Sequence, residues 1–365
     1  MKCSIWVPGE YAAASAAGWP TPGRCWDPGD GAQAIARAFE LFDIAVDGGF
    51  DMVSVAEHHY GHSSLVPSPI VMAAALAQRY SDVKIGILGP VLPLSNPVRV
   101  AEEIAMVDVI SGGRTVVGFF RGVPNEQLVY GNNPAATADM FREAFALVLH
   151  AWTEPEPFGW EGRNYRFRTV SAFPRPLQQP HPPLVSSATT PEAASWIGGE
   201  GHMLGIFAPT VPRERAQEIV AAFRAARAQA GRPAAAEEVV YRARVYVGES
   251  DEQAAADIEQ HGIGDMRRTM SPAPERAAAT GKVVAALFAG SRPAAAGGQQ
   301  HGPPPGMARP DFAGGPETVA RQLAESGAQI GWGTLDILFS TPGVPFELTK
   351  RSVERFTHEV LPALR

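Results

Sequence analysis

An acidic residue and two histidines directly follow an apolar, β-branched segment near residue 50. The segment Phe50–Val55 predicts a buried strand, and Glu57, His58 and His59 stand at its end. A strand that ends in ionisable residues places them at the mouth of a fold, where side chains that titrate near neutral pH can transfer protons. Since neighbouring residues on a strand point to opposite faces, only one of the two histidines should face a given pocket. We take His58 as the candidate catalytic residue.

Two other interpretations of these residues remain open. His58 could be structural, capping the last carbonyl groups of its strand. Glu57, His59 and His62 could ligate a metal ion, but the helix-borne spacing typical of zinc sites is absent, and we predict no metal.

Composition and charge argue against several classes of function. A net charge of −7 over 365 residues disfavours binding to nucleic acid or to anionic membranes. No apolar run approaches the roughly 20 residues that span a bilayer, and Met1–Pro8 is typical of a first strand rather than a signal peptide. Cys3 and Cys25 are the only cysteines, which predicts reduced thiols and no disulfide framework. We expect a cytoplasmic protein without nucleic-acid or membrane partners.

Short apolar strands alternate with helical segments along the chain. Strands separated by helices predict right-handed crossovers and a parallel sheet. Eight such units favour a closed (β/α)8 TIM barrel over an open doubly wound sheet, and no Gly-x-Gly-x-x-Gly follows the first strand. The fold class is therefore α/β, with residues 1–365 forming one domain. The eight strands are predicted at residues 1–8, 50–56, 83–89, 115–120, 183–187, 203–207, 239–247 and 335–339.

Two segments exceed a minimal barrel and predict insertions in loops near its mouth. Residues 160–167 indicate a small hairpin, which the proline-rich segment 174–183 follows. Residues 271–315 are rich in Ala, Gly and Pro, a composition that cannot bury a core and predicts a long loop. Long loops in compact domains are either functional lids or disordered. Because this loop precedes the eighth strand, it is a candidate active-site lid.

Five motifs stand in order along the chain: Ala56–Tyr60; Leu92–Pro93 with Asn96–Arg99; Ala101–Glu103 with Ser111–Arg114; Phe120–Gly122; and Glu359–Arg365. In these motifs the sequence resembles the bacterial luciferase-like family of flavin-dependent monooxygenases. The resemblance runs from the first strand to about residue 210 and resumes from about residue 315 to the end.

The resemblance implies a cofactor, a reaction and partners. Family members bind FMN, usually reduced by a separate flavin reductase, and react it with O2 to oxygenate a small organic substrate by hydroxylation or Baeyer–Villiger insertion. The Ala, Gly, Pro and Arg content suggests a GC-rich genome, and in such genomes enzymes of this family often serve natural-product metabolism. Members are commonly homodimers that pack helices near the second and third strands, which makes Ser68–Tyr80 a candidate contact.

The resemblance also assigns residues around the flavin ring and the substrate. His58 matches the family's active-site histidine. Leu88 and Gly89 stand where the family often has a non-proline cis peptide or a bulge beneath the isoalloxazine, and Gly89 would let the backbone approach the ring. Trp6 and Phe120, near strand ends, are candidate substrate contacts, with ordinary barrel core as the alternative.

For the flavin phosphate, the resemblance indicates hydroxyl groups ahead of a helix and one arginine. Ser187 and Thr190 match family phosphate contacts, Thr189 lies between them, and Arg121 could supply positive charge. A helix that starts at Pro191 would add free backbone N–H groups. The alternative is that Thr189 or Thr190 only caps this helix.

Two further functions stay open. A barrel of this kind could transfer hydride with a reduced deazaflavin and no O2. The chain could also be a non-catalytic flavin-binding partner, like the accessory subunit of a heterodimeric luciferase. That subunit lacks the histidine's role, so the presence of His58 speaks against the last interpretation.

Overall fold

Eight parallel strands close into a ring in the computed structural model, which describes residues 1–15, 17, 19–265 and 308–365. Around the ring the strand order is β1, β2, β3, β4, β7, β8, β9 and β11, and β11 pairs again with β1. The predicted (β/α)8 barrel and all eight of its predicted strands are confirmed. The strands are β1 (Lys2–Trp6), β2 (Met52–Val55), β3 (Lys84–Val91), β4 (Thr115–Phe120), β5 (Phe158–Glu161), β6 (Arg166–Val170), β7 (Leu184–Ser187), β8 (Met203–Phe207), β9 (Val239–Val247), β10 (Phe312–Gly314) and β11 (Thr334–Leu338).

Helices cover the outside of the ring, and several start at a proline that follows a capping residue. Ser68 accepts a hydrogen bond from the Val71 amide at the start of α2, and Gly112, with φ of +70°, ends α3. In the described residues the helices are α1 (Pro28–Asp47), α2 (Pro69–Arg79), α3 (Pro97–Ser111), α4 (Pro124–Val129), α5 (Thr137–Thr153), α6 (Pro191–Glu200), α7 (Arg213–Gln229), α8 (Asp251–His261), α9 (Pro316–Ile330) and α10 (Phe346–Arg355). None of them is both long and apolar enough to cross a membrane.

The side chains of each barrel strand alternate between two environments. Outward-facing residues such as Val53 and Ile87 join the large core beneath the helices. Inward-facing residues form a separate apolar cluster, composed of Met52, Leu88, Val116, Val185 and Val240. This cluster fills the interior, so a ligand site must lie beyond it, at the carboxyl ends of the strands.

The two predicted insertions have different outcomes. The hairpin is confirmed, since β5 and β6 pair antiparallel with Trp160 opposite Phe167. Residues 271–307 of the predicted lid lie outside the described residues, and the lid stays a prediction. Phe312–Gly314, placed in the predicted loop, instead form β10, which pairs in parallel with β9. Cys3 and Cys25 are both free thiols, as expected.

β3 contains a bulge at the position where the resemblance implied a cis peptide or a bulge. Its pairing with β4 shifts register between Leu88 and Val91. In the described part of the chain every cis bond precedes a proline, so of the two forms that the resemblance implied, a cis peptide or a bulge, the bulge is the one that occurs. A Cβ atom on Gly89 would stand 2.4 Å from Ala56 Cα and 2.5 Å from Glu57 N. Gly89 is therefore required for β3 to approach the end of β2.

We predict that Gly89→Ala destabilises the protein by about 3 kcal/mol, because its methyl group must displace the backbone of β2. Urea unfolding of the wild type and the variant measures the change. The control is Gly199→Ala in α6, where a Cβ atom meets nothing within 4 Å. The free energy of unfolding of the control should be unchanged or higher by about 0.5–1 kcal/mol, because alanine is more stable than glycine in a helix. Equal stability of the two variants would contradict the proposed close approach.

Candidate active site

His58 lies at the rim of the barrel mouth, just beyond the end of β2. Its side chain is 39% exposed, and its ring centroid lies 6.2 Å from that of Trp6, which is buried inside the barrel. His58 therefore faces the mouth. This is the orientation that the sequence predicted for one of the two histidines.

A buried carboxylate on α4 holds His58 in place. Glu126 Oε1 lies 3.2 Å from His58 Nδ1 and accepts a hydrogen bond from the His59 amide at 2.9 Å. Because an ionised carboxylate only accepts hydrogen bonds, Nδ1 carries the proton of neutral His58 and Nε2 keeps its lone pair. Nε2 is then the atom able to take a proton from a ligand.

Glu126 escaped the sequence analysis. The available signal was an acidic residue in a short, proline-initiated segment immediately after β4, at the catalytic rim of a barrel. Its pairing with His58 spans 68 positions and follows no local pattern.

His59 points away from His58 and is enclosed by hydrogen bonds. Its Nε2 lies 2.9 Å from Glu57 Oε1, and its Nδ1 lies 2.9 Å from the hydroxyl of Tyr130. Glu57 Oε2 also accepts from the amide of Val91, which joins the ends of β2 and β3. Burial, with the nearby Tyr60, raises the pKa of Tyr130 to about 12, so its phenol stays a donor. Glu57 and His59 thus stabilise the rim that carries His58.

The alternative of a metal site at Glu57, His59 and His62 has no support from the arrangement of the described side chains. Across residues 1–15, 17, 19–265 and 308–365, no group of three His, Cys, Asp or Glu side chains could hold a metal ion. His62 instead lies with Nδ1 3.2 Å from the hydroxyl of Thr21.

The predicted phosphate residues lie at two neighbouring strand ends. β4 pairs with β7 through Gly118 and Val185, which brings Arg121 and Ser187 to the same side of the mouth. Arg121 is exposed, and its guanidinium has no hydrogen-bond or ion-pair partner within the described residues. Ser187 and Thr189 are exposed as well. An unpaired arginine beside two hydroxyl groups is a donor set that fits a phosphate.

Thr190 has the capping role that we kept as an alternative. Its hydroxyl accepts from the Ala193 amide at 3.3 Å at the start of α6. The pKa of Glu192 lies below its usual range because its own amide and then the Thr190 hydroxyl hydrogen-bond to its carboxylate. Some backbone N–H groups at the start of α6 therefore already have acceptors within the helix. Arg121 and the exposed hydroxyls of Ser187 and Thr189 are then the principal donors for a phosphate.

Trp6 and Phe120 both face the barrel interior near the mouth. Phe120 is half-buried against the inner apolar cluster, and Trp6 is buried. The sequence analysis missed Arg242, whose Cζ lies 4.5 Å from the centroid of the Trp6 ring. It also missed Asp336, which is fully buried and pairs with Arg242 at 2.6 Å. The missed signal was a charged residue at an inward position of each of two largely apolar strands.

Comparison with known sequences shows which family the chain resembles. The profile of the luciferase-like monooxygenase family matches residues 11–332. The oxygenase component of the flavin-dependent trigonelline monooxygenase of Acinetobacter baylyi is 25% identical over 91% of this chain and 90% of that protein. An uncharacterised protein of Sinorhizobium fredii is 34% identical over 44% of this chain, but that match spans only 47% of the relative's length.

Solved structures share the fold at low identity. Monooxygenase RslO1 from Streptomyces bottropensis matches over 100% of both chains with a TM-score of 0.78 and 24% identity. A coenzyme F420-dependent secondary alcohol dehydrogenase, bound to an F420–acetone adduct, has a TM-score of 0.69 and 18% identity over 100% of this chain and 99% of that chain. The barrel is therefore common to oxygen-using and hydride-transferring enzymes.

We predict that Glu126 fixes the tautomer of His58. In ¹⁵N-histidine-labelled protein at pH 8, NMR should show His58 with a protonated Nδ1 and an unprotonated Nε2. Glu126→Ala should remove this preference and shift both ring nitrogens, because the acceptor is lost. Glu103→Ala, which removes a half-buried glutamate paired with Arg99, should leave the His58 signals unchanged. A wild-type His58 protonated at Nε2 would refute the assignment.

Proposed function

The chain belongs to the luciferase-like monooxygenase family, and on that premise we propose that it is the oxygenase component of a two-component, flavin-dependent monooxygenase. It would use FMN reduced by a separate flavin reductase, together with O2, to oxygenate a small organic substrate by hydroxylation or Baeyer–Villiger insertion. The observation that carries the proposal is His58, whose Nδ1 lies 3.2 Å from Glu126 Oε1 and whose side chain is 39% exposed at the barrel mouth. The Acinetobacter baylyi relative, which matches over nearly its whole length, is itself named an oxygenase component.

Residues on two sides of the mouth would hold FMN. Arg121, Ser187 and Thr189 would bind the phosphate, because they offer positive charge and hydroxyl donors at adjoining strand ends. We place the isoalloxazine beside the β3 bulge at Leu88 and Gly89, between the phosphate donors and His58. Bound reduced flavin supplies the electrons that activate O2, while the protein supplies orientation and exclusion of water.

His58 would handle the proton that oxygen transfer requires. With Nδ1–H donated to Glu126, Nε2 can accept a hydrogen bond or a proton from the reacting group, and the resulting imidazolium would be stabilised by the buried carboxylate. Glu57 and His59 keep the rim rigid through their contacts to Val91 and Tyr130. They would act on catalysis only through the position of His58.

The setting that we propose is cytoplasmic natural-product metabolism. The composition suggests such pathways, and both thiols, Cys3 and Cys25, are free, which fits a reducing compartment.

A test of the function mixes the protein with photoreduced FMN without oxygen and then admits air. We expect a bound-flavin absorbance distinct from those of reduced and oxidised FMN, and a slower return to oxidised flavin than free FMN shows. His58→Gln should shorten the lifetime of this signal by about 100-fold or more, the usual scale of general acid–base effects. His358→Gln, which changes an exposed histidine that is not among the candidate site residues, should leave it unchanged.

The same experiment with reduced deazaflavin separates the alternatives. Oxidation of reduced deazaflavin by a carbonyl substrate, with no effect on FMN reoxidation, would replace the proposal with hydride transfer. Binding of FMN without any change in its reaction with O2, in wild type and variant alike, would indicate the non-catalytic partner.

We infer that α2 and α3 form the interface of a homodimer. Val71 on α2 is 71% exposed, and Met106, Val109 and Ile110 on α3 form an exposed apolar face at helical spacing. A second copy of the chain would cover this face.

Met106→Asp with Val109→Glu should dissociate the dimer, because two charges would be buried in an apolar contact. Analytical ultracentrifugation should show twice the chain mass of 38.8 kDa for the wild type and the single-chain mass for the variant. Trp196→Glu, at an exposed aromatic residue on α6, should stay dimeric. A monomeric wild type would contradict the interface.

A further inference from the structure

Arg242 and Asp336 form a buried ion pair inside the barrel, and both carboxylate oxygens of Asp336 accept hydrogen bonds. Arg242 Nε donates to Asp336 Oδ2 at 2.6 Å, and the Ser54 hydroxyl donates to Asp336 Oδ1 at 2.7 Å. Asp336 is fully buried, and the side chain of Arg242 is 16% exposed. Both carboxylate oxygens therefore have donors, and the charge of Arg242 is balanced inside the barrel.

In this ion pair, one N–H donor group of Arg242 has no acceptor among the described residues. Arg242 Nη2 and Trp6 Nε1 are both shielded from solvent and have no hydrogen-bond partner among the described residues. The guanidinium lies over the indole, with Cζ 4.5 Å from the ring centroid, so the two unpartnered N–H donors belong to one cluster. A buried donor without an acceptor is costly and calls for an explanation.

This donor cluster adjoins the candidate active site. The Trp6 ring centroid lies 6.2 Å from that of His58. Arg242 pairs with Phe207 of β8 and with Asp336 of β11, so in the ring only β11 and β1 separate its strand from β2 and the His58 rim. A small molecule held by the cluster would therefore lie next to His58.

We propose that Arg242 Nη2 and Trp6 Nε1 bind a carbonyl-type oxygen of the substrate and so determine its orientation and class. An sp² oxygen has two lone pairs and accepts two such donors, whereas a hydrocarbon group would leave both buried and unpaired. Because Asp336 already balances Arg242, the cluster offers donors without excess positive charge. It is therefore suited to a neutral carbonyl, such as a ketone or amide, rather than to a carboxylate. The inference rests on the proposed function only in naming the bound molecule as substrate.

Three probes of matched shape test this cluster: acetophenone, ethylbenzene and benzoate. Their dissociation constants for the flavin-free protein are measured by ligand-observed NMR. We expect acetophenone to bind about 10- to 100-fold more tightly than ethylbenzene, the range of one charge-assisted hydrogen bond, and more tightly than benzoate. Equal binding of acetophenone and ethylbenzene, or tighter binding of benzoate, would overturn the proposal.

The variants assign the effect to these residues. Arg242→Gln alone would leave Asp336 buried without its counter-charge, so it is combined with Asp336→Asn, which removes both charges and keeps the shape. The double variant should lose the preference for acetophenone over ethylbenzene, and Trp6→Phe should reduce it while keeping the aromatic ring. Arg224→Gln, at an exposed arginine bonded to the Gly331 carbonyl, should keep it. A preference that survives both variants would overturn the proposal.

Flavin binding distinguishes this proposal from the proposed function. FMN affinity is measured for the same proteins in parallel. Selective acetophenone binding by a wild type that binds no FMN would reject the flavin-dependent function and support the oxygen site. FMN binding without a preference for acetophenone would reject the oxygen site and leave the flavin-dependent function standing.

Discussion

The first barrel strand pairs with the last, from Lys2 beside Thr334 to Ile5 beside Ile337, and β8 pairs with β9 to complete the ring. Because all eight strands are parallel, this closure brings every carboxyl end to one rim. Ser54 and Asp336, 282 positions apart in the chain, share a hydrogen bond inside the ring for this reason. The ends of β2, β4 and β7 meet at the same opening, so the candidate active site depends on closure of the ring rather than on any local segment.

Buried carboxylates then fix what the ring has brought together. Glu57, Glu126 and Asp336 each accept at least two hydrogen bonds or ring contacts, as a charge away from water requires. Glu126 and Asp336 each bond part of a neighbouring side chain and leave the rest unpaired, whereas Glu57 bonds His59, whose other ring nitrogen is bonded to Tyr130. His58 keeps a lone pair on Nε2, and Arg242 keeps an N–H on Nη2. The groups available to ligands are thus the donor and acceptor atoms that have no hydrogen-bond partner within the protein.

The sequence predicts features that depend on local pattern and misses those that depend on distant contacts. The alternation of strands and helices indicated the barrel, whereas His58 and His59 lie beyond the end of β2 and take their positions from contacts with Glu126 and Glu57. Glu126 and Arg242 find their partners 68 and 94 positions away, and no local spacing marks such pairs. At Leu88–Gly89 the resemblance left a cis peptide and a bulge open, and the bulge occurs; the missing Cβ of Gly89 allows the contact with β2, a demand set by the neighbouring strand.

The most direct measurement of the central claim is a crystal structure of the protein with FMN. We expect the phosphate in contact with Arg121 and Ser187, and the isoalloxazine edge beside Nε2 of His58, with Nδ1 still held by Glu126. FMN bound elsewhere, or in the barrel mouth with no contact to His58, would contradict it.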